Sequence, residues 1–287
     1  MTNGMAWAAS GIGLVVAASI GLVAFGNARW RVATQARMAQ LEAARVSASS
    51  GRYDVREIAA LPAPVQRYFR AVLKDGQPLI ATATFELAGT INLSATGEQW
   101  KPFRSTQRAV IHRPGFVWNA RVSMLPGVVA RVHDSYIAGV GTLHAALLGL
   151  FTVAKARGGG EIARGELMRY FAEMAWYPTA LLSSQGVRWQ TVDDRSANAT
   201  LVDGANSLTL LFRFDEAGLI ASVHADARGA GVGKDMVMLP WDCRFSDYQV
   251  RDGMMVPTRG EAAWARPEGR KPYFIGSLTA LAYEWSP

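Results

Sequence analysis

Glu166, Arg169 and Glu173 follow one another at spacings of three and four residues, which on a helix aligns them along one stripe. Leu167, Tyr170, Phe171 and Met174 supply the apolar positions of the same segment. Two kinds of chemistry fit. The carboxylates can line a cavity as a pair, one raised in pKa for acid/base work, with Asp134 as a third group. The commoner arrangement is a solvated ladder of ion pairs, each worth roughly a few tenths of a kcal/mol. Glu166, Glu173 and Asp134 are therefore the candidate catalytic residues.

The remaining reactive groups are weaker candidates. His112, His133, His144 and His224 are scattered, with no His-x-His or His-Glu-x-x-His spacing, so no metal and no other cofactor is expected. His133 and Asp134 are sequence neighbours, and neighbours on a strand face opposite sides. Cys243 is the single cysteine, which rules out an intramolecular disulfide and paired-cysteine zinc patterns; between Trp241 and Phe245 it reads as buried filler. The run Arg228–Asp235, RGAGVGKD, lacks the first glycine of a Walker loop and has Asp235 where Ser or Thr is needed. Its glycines read as a loose hairpin.

Aromatic residues are plentiful, with nine Trp among 287 residues. They can fill the core of a large twisted sheet, or line a lipid-sized cavity. Trp118, Tyr136, Tyr170, Trp176 and Trp241 are the candidate ligand-lining residues on the second reading.

The elements that must hold these groups begin with Met5–Gly26, a 22-residue run without a charge, long enough at about 1.5 Å per residue to span a bilayer core of about 30 Å. Residues 1–4 carry no Lys or Arg, so an uncleaved anchor is favoured over a signal peptide. Trp7 and Trp30 sit near its ends, where indoles favour the interface. Arg29, Arg31, Arg37 and Arg45 follow the span, and positive-inside then places the rest of the chain in the cytoplasm, with the periplasm as the alternative. The net charge of +7 is concentrated here: residues 27–75 hold nine Arg or Lys against four Asp or Glu. That placement points to anionic headgroups rather than to nucleic acid.

Residues 28–48 lack Pro and Gly and read as a helical stalk, ended by the Ser/Gly-rich SASSG at 47–51. LPAPVQRYFRAVL then places Val65, Tyr68, Phe69 and Val72 on one face of a short amphipathic helix. From Ile80 onward, alternating patterns and turn signals predict antiparallel strands: Ile80–Ile91, Gln99–His112, Phe116–Met124, Val128–Ala138 and Thr142–Phe151, then seven more between Val187 and Tyr283. A helix over Glu161–Tyr177, stopped by Pro178, interrupts them. The expected fold is mainly β (α+β): a strongly curved antiparallel sheet or half-barrel with a central helical insertion, preceded by a transmembrane helix. Residues 1–50 form the anchor and stalk, and 51–287 a single β-rich domain.

The blocks LPAPVQRYFRAVL, PGFVWNARVSMLPG, VHDSYIAGVG, RGELMRYFAEMAWYPTALL and, after Pro240-Trp241, PYFIGSLTALAYEW resemble an uncharacterised bacterial family known only as a domain of unknown function, over roughly residues 55–285. The resemblance implies no activity and no site residues. At the level of fold, the curved sheet is similar to the lipoprotein carriers that hold acyl chains in a half-barrel. The function expected is membrane-tethered binding of a lipid or other hydrophobic ligand; the alternatives are a membrane-associated enzyme using the carboxylates, or a scaffold that recruits a protein partner.

Overall fold

The computed structural model describes residues 2–46, 51–94, 97–231 and 236–287, with side chains of the first helix described at 13, 14 and from 17 onward. Helices α1 (Thr2–Ala44) and α2 (Ala63–Val72) precede strands β1 (Ile80–Asn92), β2 (Trp100–Val110), β3 (Gly115–Leu125), β4 (Val128–Ile137), β5 (Val140–Leu147) and β6 (Phe151–Gly158). Helix α3 (Gly160–Ala172) and three short 3-10 turns lead to β7 (Arg188–Asp193), β8 (Ser196–Asp203), β9 (Asn206–Phe214), β10 (Ile220–Ala230), β11 (Val237–Arg251), β12 (Met254–Arg266) and β13 (Gly269–Trp285).

All thirteen strands form one antiparallel sheet, ordered β6-β5-β4-β3-β2-β1-β13-β12-β11-β10-β9-β8-β7. The first six strands step outward from the middle, and the last seven step back to pair β13 with β1, Ile80 opposite Trp285. This order explains the helical insertion. β6 and β7 are the two free edges, so the chain between them must cross the whole sheet. An apolar crossing segment buries itself by taking the concave face. Residues 163–182 do so: Ala163, Leu167, Tyr170, Phe171, Ala172, Ala175, Tyr177, Leu181 and Leu182 are fully buried. α3 sits close against β5, where a Cβ on Gly141 would lie 2.7 Å from the backbone of Ala163. Both edges carry charge that discourages further strand pairing, Lys155 and Arg157 on β6, Arg188 and Asp193 on β7.

α1 lies along the convex face. Gly26 abuts Leu148 and Leu150 in the β5–β6 turn. One turn on, Trp30 is 2% exposed, stacks on His133 at 4.0 Å and donates to Asn119 Oδ1 at 3.0 Å. Further along, Leu41 packs with Val110 and Val117. Near its end, Glu42 and Glu284 grip Arg108 at 2.6 and 2.8 Å. Residues 2–25 therefore continue beyond one end of the sheet, for roughly 36 Å at about 1.5 Å per residue.

Several expectations need correction. Trp30 is a packing residue against the sheet rather than an interfacial indole. The stretch read as one strand from Thr142 to Phe151 is broken by a turn at 148–150, where Leu148 and Gly149 have positive φ, and β6 follows it unread. The predicted helix ends at Ala172, and its last turns tighten to 3-10 geometry before Pro178. Within the expected membrane span the side chains of residues 5–12, 15 and 16, Trp7 among them, lie outside the described residues; among those described, no helix is long and apolar enough to cross a membrane.

Candidate functional site

The concave face is only partly filled. Beneath β7–β10 and the middle of the sheet, Phe171, Phe212, Trp189, Phe85, Trp176 and Tyr177 pack ring against ring. Between α3 and strands β1, β3–β6 and β10–β13 there remains a cavity of about 530 Å³. Trp118, Val122, Val132, Leu143, Trp241 and Phe274 form part of its largely apolar wall. Leu93, Met124, Leu147 and Met236 line it at the end where α1 runs past the sheet.

A charged cluster forms the floor. On α3, Arg169 donates to Asp134 Oδ2 on β4 at 2.9 Å and to Glu173 Oε1 one turn on at 2.8 Å. A third donor reaches Gln107 Oε1 on β2 at 3.0 Å, and the same amide donates back to Glu173 Oε2 at 2.5 Å. The Arg169 guanidinium lies 4.7 Å from the Trp118 ring and 5.1 Å from Phe116. Burial works against its charge, but Glu173, Asp134 and Glu166 outweigh burial and hold its pKa above the ordinary arginine range. The solvated ladder is thus overturned: the stripe faces inward, and Glu166 and Glu173 are 6% and 9% exposed. The spacing could not reveal this, because an inward charged stripe and an outward one have the same periodicity.

Burial pushes the Glu166 carboxyl up to about 8, and the charge of Asp134 adds to the effect. Asp134 is also raised, by burial first, against the pull of Arg169. Glu166 Oε2 and Asp134 Oδ1 are sealed without hydrogen-bond partners among the described residues. Opposite them, Arg228 on β10 lies 4.5 Å from the Trp241 ring and 5.6 Å from Trp264, and donates to the Tyr273 hydroxyl at 3.0 Å. Arg228 was missed as a site residue because it opens a glycine run read as a turn; the structure keeps it inside β10.

The structure therefore brings Glu166, Glu173 and Asp134 together at one cavity. Trp118, Trp176 and Trp241 line that cavity with them. Tyr136 and Tyr170 do not: Tyr136 donates to Asp203 at 2.6 Å at the far end of β4, and Tyr170 donates to the Val110 carbonyl at 2.9 Å within the packed core. Cys243 also lines the cavity, where burial pushes its thiol up and leaves it a poor nucleophile. His133 points the other way. It hydrogen-bonds Thr34 at 2.7 Å under α1, and burial drops its pKa to about 3, a neutral packing group.

A half-open antiparallel β-sheet wrapped around one helix, with an apolar cavity over a charged floor, defines the class. The chain belongs to the family of unknown function DUF6920, whose sequence profile matches residues 59–283. No curated protein matches it. Among solved structures it is similar to a LolA superfamily protein from Nitrosomonas europaea, with 11% identity and a TM-score of 0.42 over 79% of this chain and 96% of that one. It is also similar to a β-barrel-like protein of the domain of unknown function DUF1849 from Brucella abortus, with 13% identity and a TM-score of 0.25 over 72% of this chain and 99% of that one. Neither likeness bears on function.

Proposed function

We propose that this chain is a membrane-tethered binder of a lipid or other hydrophobic ligand, which it holds in the concavity of the sheet. The observation that carries this is the cavity: about 530 Å³ with predominantly apolar walls. At about 30 Å³ for each water-sized group, it takes roughly 18 groups, the bulk of one long acyl chain. Apolar space of that size is costly to leave empty in water and is the usual form of a small-molecule site.

The direction of the cavity supports the membrane part. Along the ten adjacent strands from β6 to β10, alternation of strand direction puts the turns β1–β2, β3–β4, β5–β6, β10–β11 and β12–β13 at one end of the sheet. Leu93, Leu125, Phe151, Val153, Val237 and Met238 are exposed at or beside these turns. Exposed apolar side chains gathered on one rim mark an interaction surface. α1 leaves the sheet at the same end, carrying the uncharged stretch Met5–Gly26. With that stretch in the inner membrane, the rim faces the bilayer, and a hydrophobic ligand passes between lipid and cavity without crossing water. Exposed Arg29, Arg31 and Arg121 near the rim suit anionic headgroups. The arginines after the span favour the cytoplasmic side.

The convergence of Asp134, Glu166 and Glu173 favours a second reading, an enzyme with Glu166 as general acid. The ion pairs to Arg169 argue against it, since they commit two of the three carboxylates to structure. A scaffold that recruits a protein through the rim would need no cavity.

The test is photo-crosslinking. The full chain, reconstituted in nanodiscs, is exposed to a long-chain fatty acid bearing a terminal diazirine, and adducts are mapped by peptide mass spectrometry. Adducts on peptides carrying Trp118, Leu143 or Trp241 are expected. Adducts confined to residues 5–26 would remove the proposal.

A further inference from the structure

The two arginines of the cavity floor are not equivalent. Arg169 has two carboxylates and an amide oxygen within 3.0 Å. Arg228 has no carboxylate within ion-pair distance among the described residues; its Nη1 donates to a neutral phenol. Its Nε is sealed without a partner among the described residues. Glu166, a carboxylate whose charge would act on Arg228, is held in its neutral form at pH 7 by burial. Two indole faces stabilise a guanidinium by roughly 1 kcal/mol each, whereas an unpaired charge in an apolar surrounding costs several kcal/mol. The arrangement lacks an anion.

The shape of the vacant edge says which kind. With Nη1 committed to Tyr273 and Nε closed off from solvent, Nη2 remains on the cavity side to bind one oxygen of a carboxylate. Gly165 of α3 faces this edge: a Cβ built there would stand 3.5 Å from Nε and 4.0 Å from Nη2. Glycine inside a helix costs roughly 0.5–1 kcal/mol relative to alanine. Here it keeps that edge free of any side chain.

Resting on the cavity reading above, we propose that Arg228 is the head-group receptor of the cavity and that the ligand is a long-chain monocarboxylate, its carboxylate on the Arg228 edge beside Gly165 and its alkyl chain along the walls toward Leu93 and Met124. Glu166 in its neutral form presents an O–H that donates to the second carboxylate oxygen. Asp134, committed to Arg169, stands close enough to disfavour a dianionic head, which separates a carboxylate from a phosphate monoester.

The test uses the full chain in nanodiscs, with palmitate, methyl palmitate and 1-palmitoyl lysophosphatidate each competing against the diazirine probe. Palmitate is expected to compete roughly 10- to 100-fold better than its methyl ester, the range of a charge-assisted bond, and better than the lysophosphatidate. Arg228→Met should erase the preference for acid over ester while the ester still competes. Gly165→Ala should erase it too, with a thermal midpoint equal to or above that of the wild type, which separates loss of the receptor edge from loss of fold. Equal competition by acid and ester in the wild-type chain, or a preference that survives Arg228→Met, overturns the assignment and leaves the cavity reading standing. Absence of competition by every one of the three overturns both.

Discussion

Replacing Glu166 by Gln isolates the electrostatic state of the cavity floor. In the unfolded chain this carboxyl ionises near 4.5, whereas the fold holds it protonated to about 8. Between those values the folded state binds a proton that the unfolded state has released, so stability falls as pH rises. The contribution is fully present below about 4.5 and is lost as pH climbs through about 8. At about 1.36 kcal/mol for each tenfold change, the ceiling on the loss is about 5 kcal/mol, reduced by any water that enters when the group ionises. The amide keeps the shape and removes the titration. Urea unfolding of the full chain in detergent, followed by Trp fluorescence at pH 5, 7 and 9, should show the Glu166→Gln variant gaining on the wild type step by step. A difference between the two that stays within about 1 kcal/mol across this range would show that Glu166 is hydrated and that the floor is not the closed environment derived above.

Three further outcomes follow from the geometry. Arg169→Met strands Asp134 and Glu173 without their shared cation and should cost roughly 3–5 kcal/mol in the same unfolding assay; adding Asp134→Asn and Glu173→Gln should recover most of it, because the neutral set leaves no charge unpaired. Trp30→Ala removes the indole that stacks on His133 and donates to Asn119, costing roughly 3–5 kcal/mol if α1 stays docked, or less with new proteolytic cleavage between α1 and α2 if it releases. Bimane attached through Leu125→Cys, at an exposed apolar tip of the rim, should be quenched by lipids carrying bromine in the acyl chain, whereas the same label at Asp252→Cys, in the opposite-end turn between β11 and β12, should not; equal quenching at both positions would refute the orientation of the rim.

Much of the architecture was legible because strand alternation, turn chemistry and a proline-stopped helix are local signals. The helix facing Val65, Tyr68, Phe69 and Val72 inward appears as read, all four fully buried or nearly so. β6 was not legible, since Phe151-Thr-Val-Ala-Lys-Ala-Arg is an edge strand with most side chains exposed and a free edge imposes no buried alternation. The fate of Trp30 was equally hidden. Its sequence context is that of an interfacial indole, and only the register that sets α1 over β3 and β4 supplies His133 and Asn119 as partners.

The charged floor shows where sequence reasoning stops for a physical reason. Spacing fixes which side chains of α3 share a stripe, and it did so for Glu166, Arg169 and Glu173; whether that stripe meets water or a sheet is decided by the crossing from edge to edge that the strand order forces on residues 159–187. Once the crossing takes the concave face, the stripe must find polar partners there, and Asp134 and Gln107 lie on strands 35 and 62 residues from Arg169 in sequence. The opposite arginine comes from β10, on the other half of the sheet, and reaches α3 only because the sheet curls. A site assembled this way has one property a local motif lacks. Its polar groups come from both halves of the chain, on either side of the β1–β13 junction, so the cavity floor exists only when β13 has closed against β1, and ligand binding and completion of the sheet are coupled events.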